Sequence, residues 1–259
     1  MARPASLRSW YGRHGRHDLP WRATRDRWLV MVSEVMLHQT QVARVIAAWP
    51  EFAGAFPTPD AMAAAGPAAV IRAWGRLGYP RRARRLYEAS VVIERDGWPD
   101  DLRALPGIGR YTAAAVLAQA DGVDVPAIDV NIRRVVQRVI GRTVGDAVAE
   151  DVMVVIAQPL RGRDRLLALM DLGALVCKPR APRCDACPLF TACVTRGELP
   201  DEGARRAAPY RGSFRERRGR VLGALRAGPV PVAELDAEAL ASLVDDGLAA
   251  VHGDRAQLP

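Results

Sequence analysis

Leu105-Pro106-Gly107-Ile108-Gly109-Arg110 stands between two helical patterns, with the second helix reading from Tyr111 to Ala120. Two glycines two residues apart let a backbone turn sharply. The turn then leaves amide groups free at the start of the next helix. Such a helix start takes a phosphate through backbone N–H groups, without reference to base identity. A lone Gly-x-Gly also fits any helix–helix loop. The full Leu-Pro-Gly-Ile-Gly string before an alanine-rich helix is a more specific signal, and it marks Leu105, Gly107, Gly109 and Arg110 as candidate DNA-binding residues.

On both sides of this turn the chain reads as helix after helix. The apolar segment from Trp28 to about Trp49 lacks Gly and Pro, so it predicts one or two mostly buried helices. Pro57-Thr58-Pro59-Asp60 is a turn into an alanine-rich helix. Trp74-Gly-Arg-Leu-Gly-Tyr-Pro80 and the following Arg81-Arg82-Ala83-Arg84-Arg85 read as a helix end, a tight turn and a basic helix start. A further helix should begin near Asp129, with two more before Cys177. Residues 200–215 are polar and read as a linker. Helices over about 215–227 and 235–248 follow, and Ala249 to Asp254 has the makings of a short β-wing. The strand signal is otherwise nearly absent, so the chain is expected to be mainly α.

Lys and Arg number 37 against 29 Asp and Glu, a formal charge of +8. That excess favours a polyanionic partner such as nucleic acid or an anionic membrane surface. Lys178 is the sole lysine. No stretch approaches the roughly 18 apolar residues of a membrane span, and the first residues lack a signal-peptide core. A cytoplasmic protein without a membrane partner is the expectation. In that compartment, clustered cysteines suggest metal rather than disulfides.

Every cysteine falls in one window, spaced Cys177-x6-Cys184-x2-Cys187-x5-Cys193. Four thiolates close a tetrahedral zinc site or ligate a four-iron cluster. Zinc sites more often show two close pairs, and only the middle pair is close here. Both readings stay open on spacing alone, with a lean toward iron. Lys178, Arg180 and Arg183 make the same loop a candidate phosphate contact.

Two carboxylates stand out. Glu34 lies in Met31-Val-Ser-Glu-Val-Met-Leu37, where an unpaired carboxyl would cost several kcal/mol. Burial suits it to general acid or base work, although a buried arginine partner would explain it equally well. Asp129 precedes Val130-Asn-Ile-Arg-Arg134 and reads as a helix N-cap. That role is compatible with aiming an oxygen into a cleft.

Together these residues resemble the helix–hairpin–helix DNA glycosylases, endonuclease III-like, and within them the adenine DNA glycosylase (MutY-type) branch. The matching strings are Leu19-Pro-Trp-Arg22, Ser33 to Val42, Leu77-Gly-Tyr-Pro80, Leu105 to Thr112, Ile128-Asp-Val-Asn131, Met170-Asp-Leu-Gly-Ala174 and the cysteine spacing. The resemblance implies a helix–hairpin–helix glycosylase fold. Its parts would be a six-helix domain over 26–124 and a discontinuous [4Fe–4S] cluster domain from 1–25 and 125–200, with the catalytic cleft between them. A linker over 201–214 and a small winged-helix-like module over 215–259 would follow.

The same resemblance implies roles. The partner is double-stranded DNA holding a mispair or damaged base, bound by a monomer, and the target base is flipped out. Glu34 protonates the base and helps activate water, and Asp129 stabilises the cationic sugar. Tyr111 and Asn131 line the catalytic pocket, while Trp21 and Arg22 belong to the base pocket. Tyr79 and Gln39 wedge into the duplex. Cys177, Cys184, Cys187 and Cys193 hold a [4Fe–4S] cluster. Strand-nicking relatives use a lysine amine as nucleophile; that position is Tyr111 here, so hydrolysis without efficient strand cleavage is expected.

Two departures limit what carries over. His38 stands where this branch usually has glutamine; beside the wedge residue, it is either a tolerated polar substitution or a change in which opposite base is read. Residues 210–259 are also too few for the large C-terminal domain many of these enzymes use to check for oxidised guanine. Removal of thymine or uracil opposite guanine by the same fold remains an alternative. So does a non-catalytic iron–sulfur DNA-binding regulator, against which the Glu34 and Asp129 pair argues.

Overall fold

The computed structural model describes residues 6–200 and 209–259, so residues 1–5 and 201–208, parts of the expected N-terminal segment and linker, lie outside the described residues. The chain divides into two compact units, one formed by 1–31 with 109–205 and the other by 32–108 with 206–259. Among the described residues there are eleven α-helices and three short strands, in line with the helical periodicity. None of these helices is long and apolar enough to cross a membrane.

The first unit holds α1 (Leu7–His14), the start of α2 (Arg27–Leu37), α6 (Arg110–Gln119), α7 (Val130–Ile140), α8 (Asp146–Ile156) and α9 (Gly162–Leu175). Helix α9 packs against α1, α6 and α7 and buries Leu166, Leu167, Leu169, Leu172 and Asp171. Helix α7 is amphipathic: Ile132, Val135, Val136 and Val139 point into the shared core. Each such fully buried aliphatic side chain contributes ~1.5–3 kcal/mol. Gly173 lets α9 approach α7 closely, since a Cβ there would stand 2.7 Å from the Cβ of Asn131.

The second unit holds the rest of α2, α3 (Val42–Ala55), α4 (Pro59–Trp74), α5 (Arg81–Asp96), α10 (Phe214–Ala227) and α11 (Ala237–Asp245). Its strands are β1 (Val230–Pro231), β2 (Ala250–His252) and β3 (Arg255–Gln257), antiparallel in the order β1-β3-β2. The apolar run from Trp28 resolves into two helices, because Gln39 takes a left-handed φ of 52° after α2 ends at Leu37. Helix α4 is broken at Gly66, where φ is 79° and Pro67 starts a new segment. Phe52 meets Trp74 edge to face at 5.6 Å, anchoring α3 on the end of α4. Near the C-terminal end of the second unit Leu222, Leu225, Leu240, Leu243, Leu248 and Ala256 are buried, and α10 packs against α11 and β3.

Candidate active site

In the second unit two short loops carry the expected wedge residues. Gln39 is exposed with φ 52°, and Tyr79 is 53% exposed with φ 48°. A left-handed backbone costs a non-glycine residue roughly 1–2 kcal/mol. It persists only where neighbours over-determine it, and such strain concentrates at functional positions. The enforcing residue here is Arg82, which the sequence reading missed. Its Nη1 donates to the carbonyls of Val35 (2.7 Å) and Met36 (3.1 Å), and its Nη2 to Thr40 Oγ1 (2.9 Å) and Gly78 O (2.9 Å). Thr40 Oγ1 donates to Leu77 O at 3.2 Å, and Trp74 Nε1 to Gly78 O at 2.9 Å. The guanidinium also lies 5.4 Å from the Tyr79 ring centroid. Burial pulls the Arg82 pKa down to about 10, so it stays charged at neutral pH. Its position in the run Arg81–Arg85 carried no signal that set it apart from the other arginines.

His38 is half-buried beside these loops. Burial and then the charge of Arg82 hold its pKa below the usual histidine value. Glu34 is in the same unit, 3% exposed on α2 and flanked by the equally buried Ser33 and Val35.

The glycine-rich turn is built as its composition suggests, but its two glycines differ. Gly107 has φ 78°, and a Cβ on it would stand 2.7 Å from the Cβ of Arg85. It must be glycine on both counts. Gly109 has φ −89° and nothing within 4 Å of a Cβ, so the fold itself does not require glycine there. Gly109 is the N-cap of α6, and no side chain satisfies the helix's first amides from that position. A 220 Å³ cavity lined by His38, Arg81, Arg82, Arg85 and Gly107 adjoins the turn.

In the first unit Asp129 caps α7: Oδ1 accepts from the Ile132 amide at 2.7 Å and Oδ2 from Asn131 Nδ2 at 2.9 Å. Burial raises its pKa, and these hydrogen bonds pull it back only in part. The Asn131 Oδ1 accepts from Arg134 Nη2 at 2.9 Å. Arg134 also donates to Gly173 O and to Cys177 O, both at 2.7 Å. A hydrogen-bonded chain therefore runs from Asp129 to the backbone of the first cysteine. Tyr111 is half-buried at the start of α6, and its hydroxyl reaches Met170 Sδ at 3.8 Å. Trp21 is buried, 5% exposed. Arg22 forms a two-pronged pair with the fully buried Asp171, at 2.7 and 2.8 Å, and Asp171 also takes Arg16 at 2.6 Å. Asp171 was not singled out from sequence, although both halves of the pair stand in the quoted strings.

All four cysteines line one cavity, with Val135, Val139, Leu172, Leu189 and Phe190 making its walls. Among the described residues no three His, Cys, Asp or Glu side chains close on a single-ion site; the sulfurs face a shared space. Burial pushes the Cys187 thiol up to about 12, and the neighbouring thiols Cys177, Cys193 and Cys184 add to the rise. Donors approach the sulfurs: Arg138 Nη1 to Cys177 Sγ at 3.4 Å and the Arg196 amide to Cys193 Sγ at 3.4 Å. Arg138 further clamps the loop through the carbonyls of Lys178 (2.7 Å) and Pro179 (3.0 Å). An apolar pocket with four thiols and N–H···S donors fits a cysteine-ligated cluster.

Residues 32–154 match the profile of the HhH-GPD superfamily base excision DNA repair proteins. Adenine DNA glycosylase of Mycobacterium tuberculosis (strain H37Rv) is 46% identical, covering 89% of this chain and 81% of the relative. That of Mycolicibacterium smegmatis is 45% identical over 95% of this chain and 92% of the relative. Human adenine DNA glycosylase is 38% identical over 76% of this chain but only 40% of its own length. Among solved structures, a thermostable thymine-DNA glycosylase superposes with TM-score 0.63 at 26% identity, covering 73% of this chain and 93% of that one. Endonuclease III in a non-covalent DNA complex, at TM-score 0.62 and 23% identity over 73% and 92%, shares the fold. The chain belongs to the adenine DNA glycosylase family, within the HhH-GPD superfamily of base excision DNA repair proteins.

Proposed function

We propose that the protein removes adenine from DNA where it is mispaired with guanine or oxidised guanine, by hydrolysis of the N-glycosidic bond. The observation that carries this is the pairing of family with chemistry. Relatives named adenine DNA glycosylase reach 45–46% identity over most of both chains, and the half-buried Asp129 carboxylate is oriented by Asn131 and the α7 amides. Thymine or uracil removal opposite guanine is the second reading; it rests on the likeness to a thymine-DNA glycosylase at 26% identity.

In this reading the base is flipped out of a duplex, with Tyr79 and Gln39 filling the stack. Trp21 and Arg22 belong to the base pocket and His38 to the reading of the opposite base. Backbone amides at Gly107 and Gly109, with Leu105 and Arg110, grip phosphate. Glu34 delivers a proton to the departing adenine. Asp129 as carboxylate stabilises the positive sugar left behind, while Tyr111 and Asn131 shape the pocket. Water then adds to the sugar carbon, its proton passing to the Glu34 carboxylate. Tyr111 stands where strand-nicking relatives carry lysine, so no Schiff base forms there and base removal proceeds without efficient strand cleavage.

The cysteines would hold a [4Fe–4S] cluster, which when bound staples the 177–193 loop; base removal uses none of its chemistry. Residues 26–124 would form the six-helix domain, and 1–25 with 125–200 the cluster domain. Residues 201–214 would be the linker and 215–259 the winged-helix-like module. The enzyme is proposed to act as a cytoplasmic monomer.

A single-turnover assay tests this, on duplexes with adenine opposite oxidised guanine, guanine or cytosine and with thymine or uracil opposite guanine. Wild type should excise adenine opposite the two guanines, and Glu34→Gln should abolish it. Preference for thymine or uracil would favour the second reading; no excision would favour a non-catalytic DNA binder. Borohydride trapping of an enzyme–DNA adduct would overturn the hydrolytic assignment.

A further inference from the structure

The outline of helix, helix and β-hairpin in the C-terminal module is that of a DNA-reading winged helix, but its charges do not suit that work. Helix α11 carries Glu238 and Asp245, has Asp236 as its N-cap and ends at Asp246. A helix entering a groove must neutralise phosphates. Two of the α10 arginines that could offset this charge are taken up inside the module. Arg217 pairs with Asp236 (3.1 Å) and Glu238 (2.7 Å), and Arg218 with Asp246 (2.5 Å) and Ser242.

The module instead grips the two helices that flank the Tyr79 turn, all within the second unit. On one side Arg226, near the end of α10, donates from Nε to Ile71 O at 3.3 Å, and Arg72 Nε donates to Arg226 O at 3.2 Å. Both partners lie in the last turn of α4. On the other side Asp246 takes Arg81 Nε at 3.3 Å, at the first residue of α5. Next to it Gly247, at φ 66°, lies against Arg84, whose Nε would be 3.5 Å from a Cβ there. Residues 75–80, with Gly78 and Tyr79 both at positive φ, span the gap between these two grips.

We propose that Asp246 is a positioning residue. Through Arg81 and Arg218 it makes the C-terminal module a brace across the ends of the 75–80 turn, which holds Tyr79 in its strained, exposed pose before DNA arrives. The proposal rests on the reading of Tyr79 as the wedge. A single exposed ion pair is worth little, and Arg81 is itself 66% exposed; the brace rests on Asp246, 15% exposed, being held at the same time by the sheltered Arg218, with the Arg226 grip acting in parallel. A strained turn held in advance spends less of the binding free energy on ordering when the duplex is engaged.

The test uses the full chain as Asp246→Asn, Asp246→Glu, Tyr79→Ala and the Asp246→Asn/Tyr79→Ala double variant. It reads single-turnover excision on the mispaired-adenine duplex, fluorescence of 2-aminopurine beside the mispair, and amide hydrogen exchange. For Asp246→Asn, amides of 76–82 should exchange about tenfold faster. Excision and the 2-aminopurine rise should slow about fivefold, and Asp246→Glu should restore both. In the Tyr79→Ala background the same change should have no further effect. Unaltered exchange and excision in Asp246→Asn, or an equal fall in both backgrounds, would overturn the brace while leaving the wedge standing. Wild-type excision by Tyr79→Ala would instead overturn the wedge reading and this proposal with it. Should Asp246→Asn not fold, Arg226→Gln loosens the opposite grip and carries the same expectations.

Discussion

Asn131 Nδ2 donates to Asp129 Oδ2 at 2.9 Å, and the same amide's oxygen is itself held by Arg134. Burial favours the neutral Asp129 carboxyl, and this hydrogen bond, with those of the α7 amides, favours the charged one. A hydrogen bond to a charged group is worth about 1.5–3 kcal/mol, or roughly one to two pKa units. Asn131→Ala should therefore move the acidic limb of the single-turnover pH–rate profile upward by about one unit and lower its plateau. A limb that stays in place would show that Asp129 ionisation does not govern the rate.

Arg134 is 8% exposed and donates to Asn131, Gly173 and Cys177. Arg134→Ala leaves buried acceptors without this donor, and urea unfolding should show a loss of about 3 kcal/mol. Arg134→Lys should recover little, because an ammonium cannot reach three acceptors in the planar fork of a guanidinium. A lysine variant as stable as wild type would refute the fork argument.

The two glycines of the turn should part company. Gly107→Ala places a Cβ 2.7 Å from that of Arg85 at φ 78°, so it should cost at least ~1–2 kcal/mol from the backbone alone. Gly109→Ala meets no protein atom within 4 Å and should leave the melting transition within about 0.5 kcal/mol of wild type. If phosphate docks on these amides, Gly109→Ala should still weaken duplex binding, equally for matched and mismatched DNA. Fluorescence anisotropy on both duplexes checks this.

His38 has its pKa held below 6.5 by burial and by Arg82. As pH falls, the unfolded chain takes up this proton before the folded one does. The stabilisation is thus complete above about pH 6.5 and is lost as pH drops through the lower folded value. Wild type should lose more stability than His38→Gln between pH 7.5 and 5.5 in urea titrations; parallel losses would place the acid sensitivity elsewhere.

How much of this was legible beforehand follows the range of the interactions. Glycine-rich turns, N-caps and helical periodicity are local: Gly107, the Asp129 cap on Ile132 and the break after Leu37 all depend on residues within a few positions. The gathering of four cysteines was legible because they fall in one short window. Arg82 was not, because its partners Val35, Met36 and Thr40, which tie it to the Gln39 loop, lie more than 40 positions away, and nothing in a run of arginines says which one turns inward.

Composition and spacing alone establish a mainly helical, basic protein with a glycine-rich turn between two helices, a four-cysteine loop and two candidate carboxylates. Tertiary structure alone decided which charges are spent. Asp171 closes on Arg16 and Arg22 across about 150 positions, Arg134 ties Asn131 to the cysteine loop, and Asp246 grips the start of α5. The reason is physical. A buried or shared charge must find its partner wherever the packed helices bring one, and one-dimensional spacing does not record that distance.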